Sequence, residues 1–159
     1  KRMNRRYTPE EYLEKCDLLR QYYEHPAITT DIIVGFPGET EEEFKETCDF
    51  VKKVDFYEVH VFKYSKRNGT VAASMPDQIK ESVKAERSGI LMELAEKQKK
   101  EFIDYYKGKE VSVLFEEPVE VDGVRYFEGL TPEYVKVWVP TEENLTNRIM
   151  KVEFFPYLY

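Results

Sequence analysis

The chain has 159 residues, 42% hydrophobic and 35% charged, which suits one or two globular domains with real cores. Its net charge of −7 argues against binding nucleic acid through a bulk positive field. No apolar run approaches the ~20 residues of a membrane span, so no membrane partner is expected.

The first six residues carry +4, and the chain opens on Lys1 rather than Met, which suits a piece excised from a longer protein. No signal peptide is visible, and the localisation expected is cytoplasmic. Thr8, Pro9 and Glu11 form a helix start: N-cap, first helical position and reciprocal carboxylate. The spacing predicts a helix over 9–24 with Tyr12, Cys16, Leu19 and Tyr23 on its inner stripe.

Ile32, Ile33 and Val34 then form an unbroken apolar run, the pattern of a parallel strand buried on both faces. Gly35, Pro37 and Gly38 force a turn, and Thr40 with Glu43 makes a second capping box. Parallel α/β sheets place ligands at such carboxyl-end turns, and glycine lets backbone approach them closely. An ordinary strand-to-helix turn carries the same pattern.

A helix is expected over 41–53, with Phe44, Cys48 and Val51 inward, and a second strand over 57–63. Together they make a βαβ unit. The loop Ser65–Thr70 follows, again at a strand's carboxyl end. A long helix is predicted over 77–106, with Val83, Ile90, Leu91, Leu94, Phe102 and Tyr105 as its stripe and Gly108 ending it. Cys16 and Cys48 lie on core-facing stripes and read as buried thiols of a reducing compartment. His25 and His60 are isolated and are not expected to bind metal.

After Gly108 the pattern changes to strand alternation through Val111, Val113 and Phe115. Asp122-Gly123 between two apolar runs predicts a tight hairpin. Tyr134–Val139 and Ile149–Phe155 read as further strands, and four or five short antiparallel strands suggest a small closed barrel. Residues 109–159 hold 5 Lys/Arg and 10 Asp/Glu, so this acidic module carries −5. The fold class expected is α/β plus all-β: residues 1–107 as the latter part of a larger α/β domain, 108–159 as a β module. Two parallel strands cannot close a barrel and leave a sheet edge unpaired.

Three ordered motifs carry a resemblance: Met3-Asn4-Arg5-Arg6-Tyr7-Thr8, Thr30 through Gly35-Phe36-Pro37-Gly38-Glu39-Thr40, and Ser65 through Thr70 followed by Ala72-Ala73. Together they resemble the radical-SAM methylthiotransferases of tRNA and ribosomal protein, and the β module looks like their C-terminal TRAM domain. Gly129 through Val137 looks most like the branch acting on threonylcarbamoyladenosine beside the anticodon; the isopentenyladenosine and ribosomal-protein branches are the alternatives within the family.

The resemblance implies that residues 1–107 are the C-terminal part of a partial (β/α) barrel. It implies S-adenosylmethionine (SAM) and two [4Fe–4S] clusters in the full-length enzyme, with tRNA, through its anticodon stem-loop, as partner. The cluster-binding cysteine motifs are not in this sequence. The chain alone is therefore expected to hold no cofactor or metal and to be inactive, its partner being the cluster-bearing N-terminal domains of the same protein.

By the same resemblance, Gly35, Phe36, Pro37, Gly38 and Glu39 line the adenine side of the SAM pocket. Asp31 is a candidate to face the barrel lumen, or to make a structural hydrogen bond. Lys66 and Arg67 are candidates for substrate phosphate or the SAM carboxylate, or belong to a solvated loop. Arg5 and Arg6 suit phosphate or an interdomain ion pair. In the β module, Lys136 is the first candidate for tRNA contact, with Arg125, Arg148, Lys107 and Lys109. Tyr126, Tyr134 and Trp138 stack bases or fill the barrel core. Two other classes compete: a non-catalytic RNA- or protein-binding adaptor, and a hydrolase or nucleotide binder. The latter lacks both a G-x-S-x-G elbow and a P-loop.

Overall fold

A computed structural model describes residues 3–155 and divides the chain into two compact units, Lys1–Lys99 and Lys100–Tyr159. In the first, α1 (Pro9–Tyr22) begins as its sequence dictates. Glu11 N–H donates to Thr8 Oγ1 (3.2 Å), and Thr8 N–H donates to Glu11 Oε2 (2.8 Å). Only the first half of its expected stripe is covered. Cys16 is buried and Tyr12 and Leu13 pack partly, whereas Leu19 and Tyr23 are exposed. Past Cys16 the helix is tied down by a polar contact instead: Arg20 donates to the Val54 and Asp55 carbonyls at the end of the next helix.

Strand β1 (Thr29–Val34) pairs in parallel with β2 (Glu58–Lys63), and α2 (Glu41–Val54) connects them. The α2 face carrying Phe44, Cys48, Val51 and Val54 is buried, one residue beyond the expected end. Asp55, at φ +57°, turns the chain out of the helix. The core joins these residues to Cys16, Ile28, Val34, Phe56, Val59, Leu91 and Ala95.

The expectation that β1 is buried on both faces is wrong. Its pattern alternates: Thr29, Asp31 and Ile33 are exposed, Ile32 is partly buried and Val34 fully buried. Core packing covers the Ile32–Val34 face only. On the other, Asp31 lies opposite His60, and Ile33 opposite Phe62, both partners exposed.

After β2, a single-turn helix α3 (Val71–Ser74), capped by Thr70, was not foreseen. The long helix α4 (Glu81–Asp104) starts later and ends earlier than its pattern suggested. Asp77 cannot belong to it, because it sits at φ +56° with its carbonyl accepting the Gly38 N–H. The α4 stripe also differs. Leu91 and Phe102 are buried as expected, but Ile90 is 47% exposed. In the first unit the buried positions are Lys84, Arg87, Leu91, Ala95 and Gln98.

In the second unit, β3 (Glu110–Val121), β4 (Val124–Leu130), β5 (Lys136–Pro140) and β6 (Ile149–Glu153) form one antiparallel sheet in the order β5-β4-β3-β6. Asp122 (φ +52°) and Gly123 (φ +76°) close the β3–β4 hairpin, as a type I′ turn requires. The runs at 111–115 and 119–121 are one strand, bulged between Phe115 and Glu117. Val111, Val113 and Phe115 point inward, and Phe127, Val135, Val137, Leu145 and Phe154 are buried with them. The sheet is open among the described residues, not the closed barrel expected. β6 pairs only with the first five residues of β3, β5 pairs only with β4, and each keeps one free edge. Tyr134 is not in a strand: at φ +63° it makes the turn before β5, its N–H donating to the Thr131 carbonyl (2.9 Å).

Candidate functional site: the turn after the first strand

The turn at 35–39 sits where β1 ends, and its shape follows from its residues. Gly35 (φ +73°) and Gly38 (φ +76°) occupy the left-handed region that other residues enter only with strain. Gly38 N–H donates to the Asp77 carbonyl (2.8 Å), and Glu39 N–H donates back to Phe36 O (2.9 Å). Thr40 and Glu43 then cap α2 reciprocally. Tyr64 N–H donates to Val34 O (2.8 Å), so the ends of β1 and β2 stay together as they leave the sheet.

Two cations on α4 hold this turn, and neither was singled out from sequence. Arg87 is 5% exposed. Its Nη1 donates to Glu39 Oε2 (2.6 Å) and to the Glu39 carbonyl (3.1 Å); its Nη2 reaches Glu41 Oε2 (3.2 Å). The same Glu39 oxygen accepts the Gly35 N–H (2.7 Å). The guanidinium also lies 5.3 Å from the Phe44 ring centre. Lys84, one turn earlier, donates to the Tyr64 carbonyl (2.9 Å) and to Glu81 Oε1 (2.7 Å). That Lys84 hydrogen bond holds the Glu81 carboxyl below its usual range.

The Lys84 stem also explains Gly35. A Cβ there would meet Lys84 Cγ at 2.4 Å, so the space opened by this glycine is filled from within the protein. Phe36, Gly38 and Glu39 keep partial exposure, whereas Gly35 and Pro37 are buried. The Phe36 ring meets the Tyr64 ring edge-on at 5.4 Å. The Tyr64 hydroxyl is shut off from solvent with no hydrogen-bond partner.

The other candidates separate into three places. Lys66 and Arg67 are exposed in the loop after β2, at the same end of the sheet as the turn; Thr70 donates to the Arg67 carbonyl through N–H and hydroxyl. Asp31 lies on the open face of β1 and, with Arg5, lines a groove of about 650 Å3 along with Tyr12, Thr30 and Phe50. Arg6 is exposed.

Lys136 belongs to the second unit, on β5, where its ammonium pairs with Glu128 Oε1 (2.8 Å). Glu128 also accepts the Trp138 indole N–H (2.6 Å). Arg125 pairs with Glu142 (3.4 Å), Lys107 with Asp104, and Lys109 lies over the Tyr105 ring. Tyr126 and Trp138 are half-buried with ring centres 6.3 Å apart, and Tyr134 is 75% exposed. The fully buried aromatic rings of the sheet are Phe115, Phe127 and Phe154 instead.

Residues 1–51 match the Radical SAM superfamily. The chain is 42% identical to the threonylcarbamoyladenosine tRNA methylthiotransferase MtaB of Bacillus subtilis (strain 168), over 99% of this chain and 36% of that protein. It is 55% identical to the tRNA-2-methylthio-N(6)-dimethylallyladenosine synthase of Thermoanaerobacter sp. (strain X514), over 73% of this chain and 25% of that protein. The synthase of the same name from Acetivibrio thermocellus is 42% identical over 96% of this chain and 32% of its own length. This chain belongs to the radical-SAM methylthiotransferase family, as a partial chain spanning 36% of the length of the Bacillus relative.

That family implies a nucleoside cofactor and iron–sulfur clusters. The turn fits the nucleoside: it presents a half-exposed aromatic ring, Phe36, against a tyrosine whose hydroxyl lacks a partner. The described residues do not fit a cluster, which takes several thiolates together. Cys16 and Cys48 are each buried, burial pushes both thiols up, and no three His, Cys, Asp or Glu residues are grouped as a metal site among the described residues. No described helix is long and apolar enough to cross a membrane.

Proposed function

We propose that this chain is the latter part of a cytoplasmic tRNA methylthiotransferase. In this reading residues 1–107 complete its radical-SAM domain, and 108–159 form a TRAM-like module. The substrate is N6-threonylcarbamoyladenosine beside the anticodon, where a methylthio group replaces a ring hydrogen. The observation that carries the reading is the 42% identity to the Bacillus subtilis methylthiotransferase, which runs through 99% of the chain. A second reading, dimethylallyladenosine as substrate, is favoured by the 55% identity over 116 residues to the Thermoanaerobacter synthase.

Within the first unit, Gly35, Phe36, Pro37, Gly38 and Glu39 form the adenine-side wall of the SAM pocket. SAM, when bound with its cluster, supplies the radical chemistry; the clusters are held by other parts of the full-length protein. This chain's residues bind and orient. Phe36 offers its ring face to the adenine, and the loop carrying Lys66 and Arg67 brings positive charge to the same sheet end for a carboxylate or phosphate. Asp31 faces the lumen that the full-length barrel would enclose. Lys136 contacts tRNA only by exchanging its Glu128 pairing for phosphate.

The test is amide hydrogen exchange on the full-length protein, with S-adenosylhomocysteine as an unreactive probe. The expected result is slower exchange in the peptide spanning 33–41 when the probe is bound. Binding that leaves this peptide unchanged would overturn the pocket assignment.

A further inference from the structure

We propose that Arg87 is a positioning residue for the cofactor turn, acting through Glu39, with Lys84 as its companion. This rests on the reading of residues 35–39 as a wall of the SAM pocket.

The first argument is placement. Lys84, Arg87, Leu91, Ala95 and Gln98 form one buried stripe with spacings of three and four, the positions helix packing normally fills with apolar side chains. Keeping a guanidinium there is costly, since a well-packed apolar residue is often at least as stable as a buried ion pair. The cost is visible in Arg87 Nε, buried without a partner.

The second argument is what Arg87 holds. Among the hydrogen bonds given above, it reaches the turn through Glu39 alone, by carboxylate and carbonyl, and it extends to Glu41 in the first turn of α2. Glu39 Oε2 accepts from Arg87 and Gly35 at once, so a single carboxylate oxygen ties α4 to the first residue of the turn. Lys84 does the equivalent at the end of β2 by binding the Tyr64 carbonyl and covering Gly35. Both strand ends are therefore fixed by one helix. Arg87 is too buried to meet a ligand itself, so its influence on one runs through Glu39 and the half-exposed Phe36 and Gly38. The orientation of a cofactor by this turn then depends on residues 48 positions further along the chain.

The experiment compares wild type, Arg87→Met and Arg87→Lys in the full-length protein, without and with S-adenosylhomocysteine. Two quantities are read: exchange of the 33–41 peptide in the free protein, and the dissociation constant for the probe. Arg87→Met is expected to accelerate exchange and to weaken binding, each about tenfold, as loss of a charge-assisted contact implies. Arg87→Lys keeps the charge but not the fork, and is expected to recover part of both. Wild-type exchange and affinity in Arg87→Met would overturn the proposal. If Arg87→Met does not fold, Arg87→Lys decides: weaker binding supports the proposal, wild-type binding overturns it. The wild-type arm separates the two ideas. If the probe protects the turn but Arg87 variants bind it normally, only the positioning role falls. If the probe binds without protecting the turn, the pocket reading falls and the positioning role with it.

Discussion

Gly129→Ala is expected to destabilise the β unit by about 3 kcal/mol, the upper range for overpacking, because the atoms it meets are mostly backbone. A Cβ at Gly129 would lie 2.5 Å from the Leu114 carbonyl oxygen, 2.6 Å from Val113 Cγ1 and 2.9 Å from Phe115 Cα. Gly129 is the register partner of Phe115, directly beside the bulge in β3. Neither strand can retreat: β3 is held by β6 on its other side, and Phe115 is fully buried. Trp138 is the chain's single tryptophan and lies in this unit, so its fluorescence reports the loss directly. The urea midpoint read from Trp138 should fall sharply. Gly123→Ala is the control: no atom lies within 4 Å of a Cβ there, and only the φ of +76° opposes it. That change should cost about 1 kcal/mol. Equal midpoints for the two variants would contradict the packing described at the bulge.

Breaking the Arg87–Glu39 pair is the second large effect, and it falls on the first unit. Their side chains are 7% and 14% exposed, so removing one partner strands a charge that water cannot fully recover. The range for such losses is about 3–5 kcal/mol. Glu39→Gln should lie at or just below its lower end, about 2–3 kcal/mol, because Glu41 still reaches the guanidinium. Arg87→Met leaves the Glu39 carboxylate with the Gly35 N–H and should cost about 3 kcal/mol. The double variant should cost clearly less than the sum, since the Arg87–Glu39 carboxylate contact is lost only once. Urea unfolding followed by far-ultraviolet circular dichroism measures all three. Additive losses would show that the two side chains act independently.

Much of the secondary structure in both units is legible in the sequence because its signals are local. Thr8 and Thr40 each sit three residues before a glutamate, and both capping boxes form. Asp122-Gly123 specifies its hairpin because few other pairs tolerate two positive φ angles. The misreadings have a common cause, which is that burial depends on distant partners. Ile33 looks like core, yet only one face of the two-stranded sheet is covered. Ile90 completes an apolar stripe on paper, while Lys84 and Arg87 occupy the buried one.

A lysine and an arginine in a charged helix read as a solvated face. The only local hint is that they continue the Leu91–Ala95 spacing. Their partners Glu39 and Tyr64 lie 48 and 20 residues away. The glycines and proline mark the turn in the sequence, but not the reason for Gly35: the neighbour that needs its missing side chain is Lys84. The open sheet of the second unit is not legible in the sequence because strand count does not reveal which edges pair.

The tRNA methylthiotransferase assignment is tested most directly by the nucleosides of cellular tRNA. The gene encoding the protein is disrupted, bulk tRNA is digested, and the modified adenosines are measured by liquid chromatography and mass spectrometry. The predicted result is loss of 2-methylthio-N6-threonylcarbamoyladenosine, accumulation of its precursor without the methylthio group, and restoration of both by the intact gene. Loss of the methylthio form of dimethylallyladenosine instead would move the substrate to the second reading. An unchanged set of methylthiolated nucleosides would contradict the assignment of this chain to a tRNA methylthiotransferase.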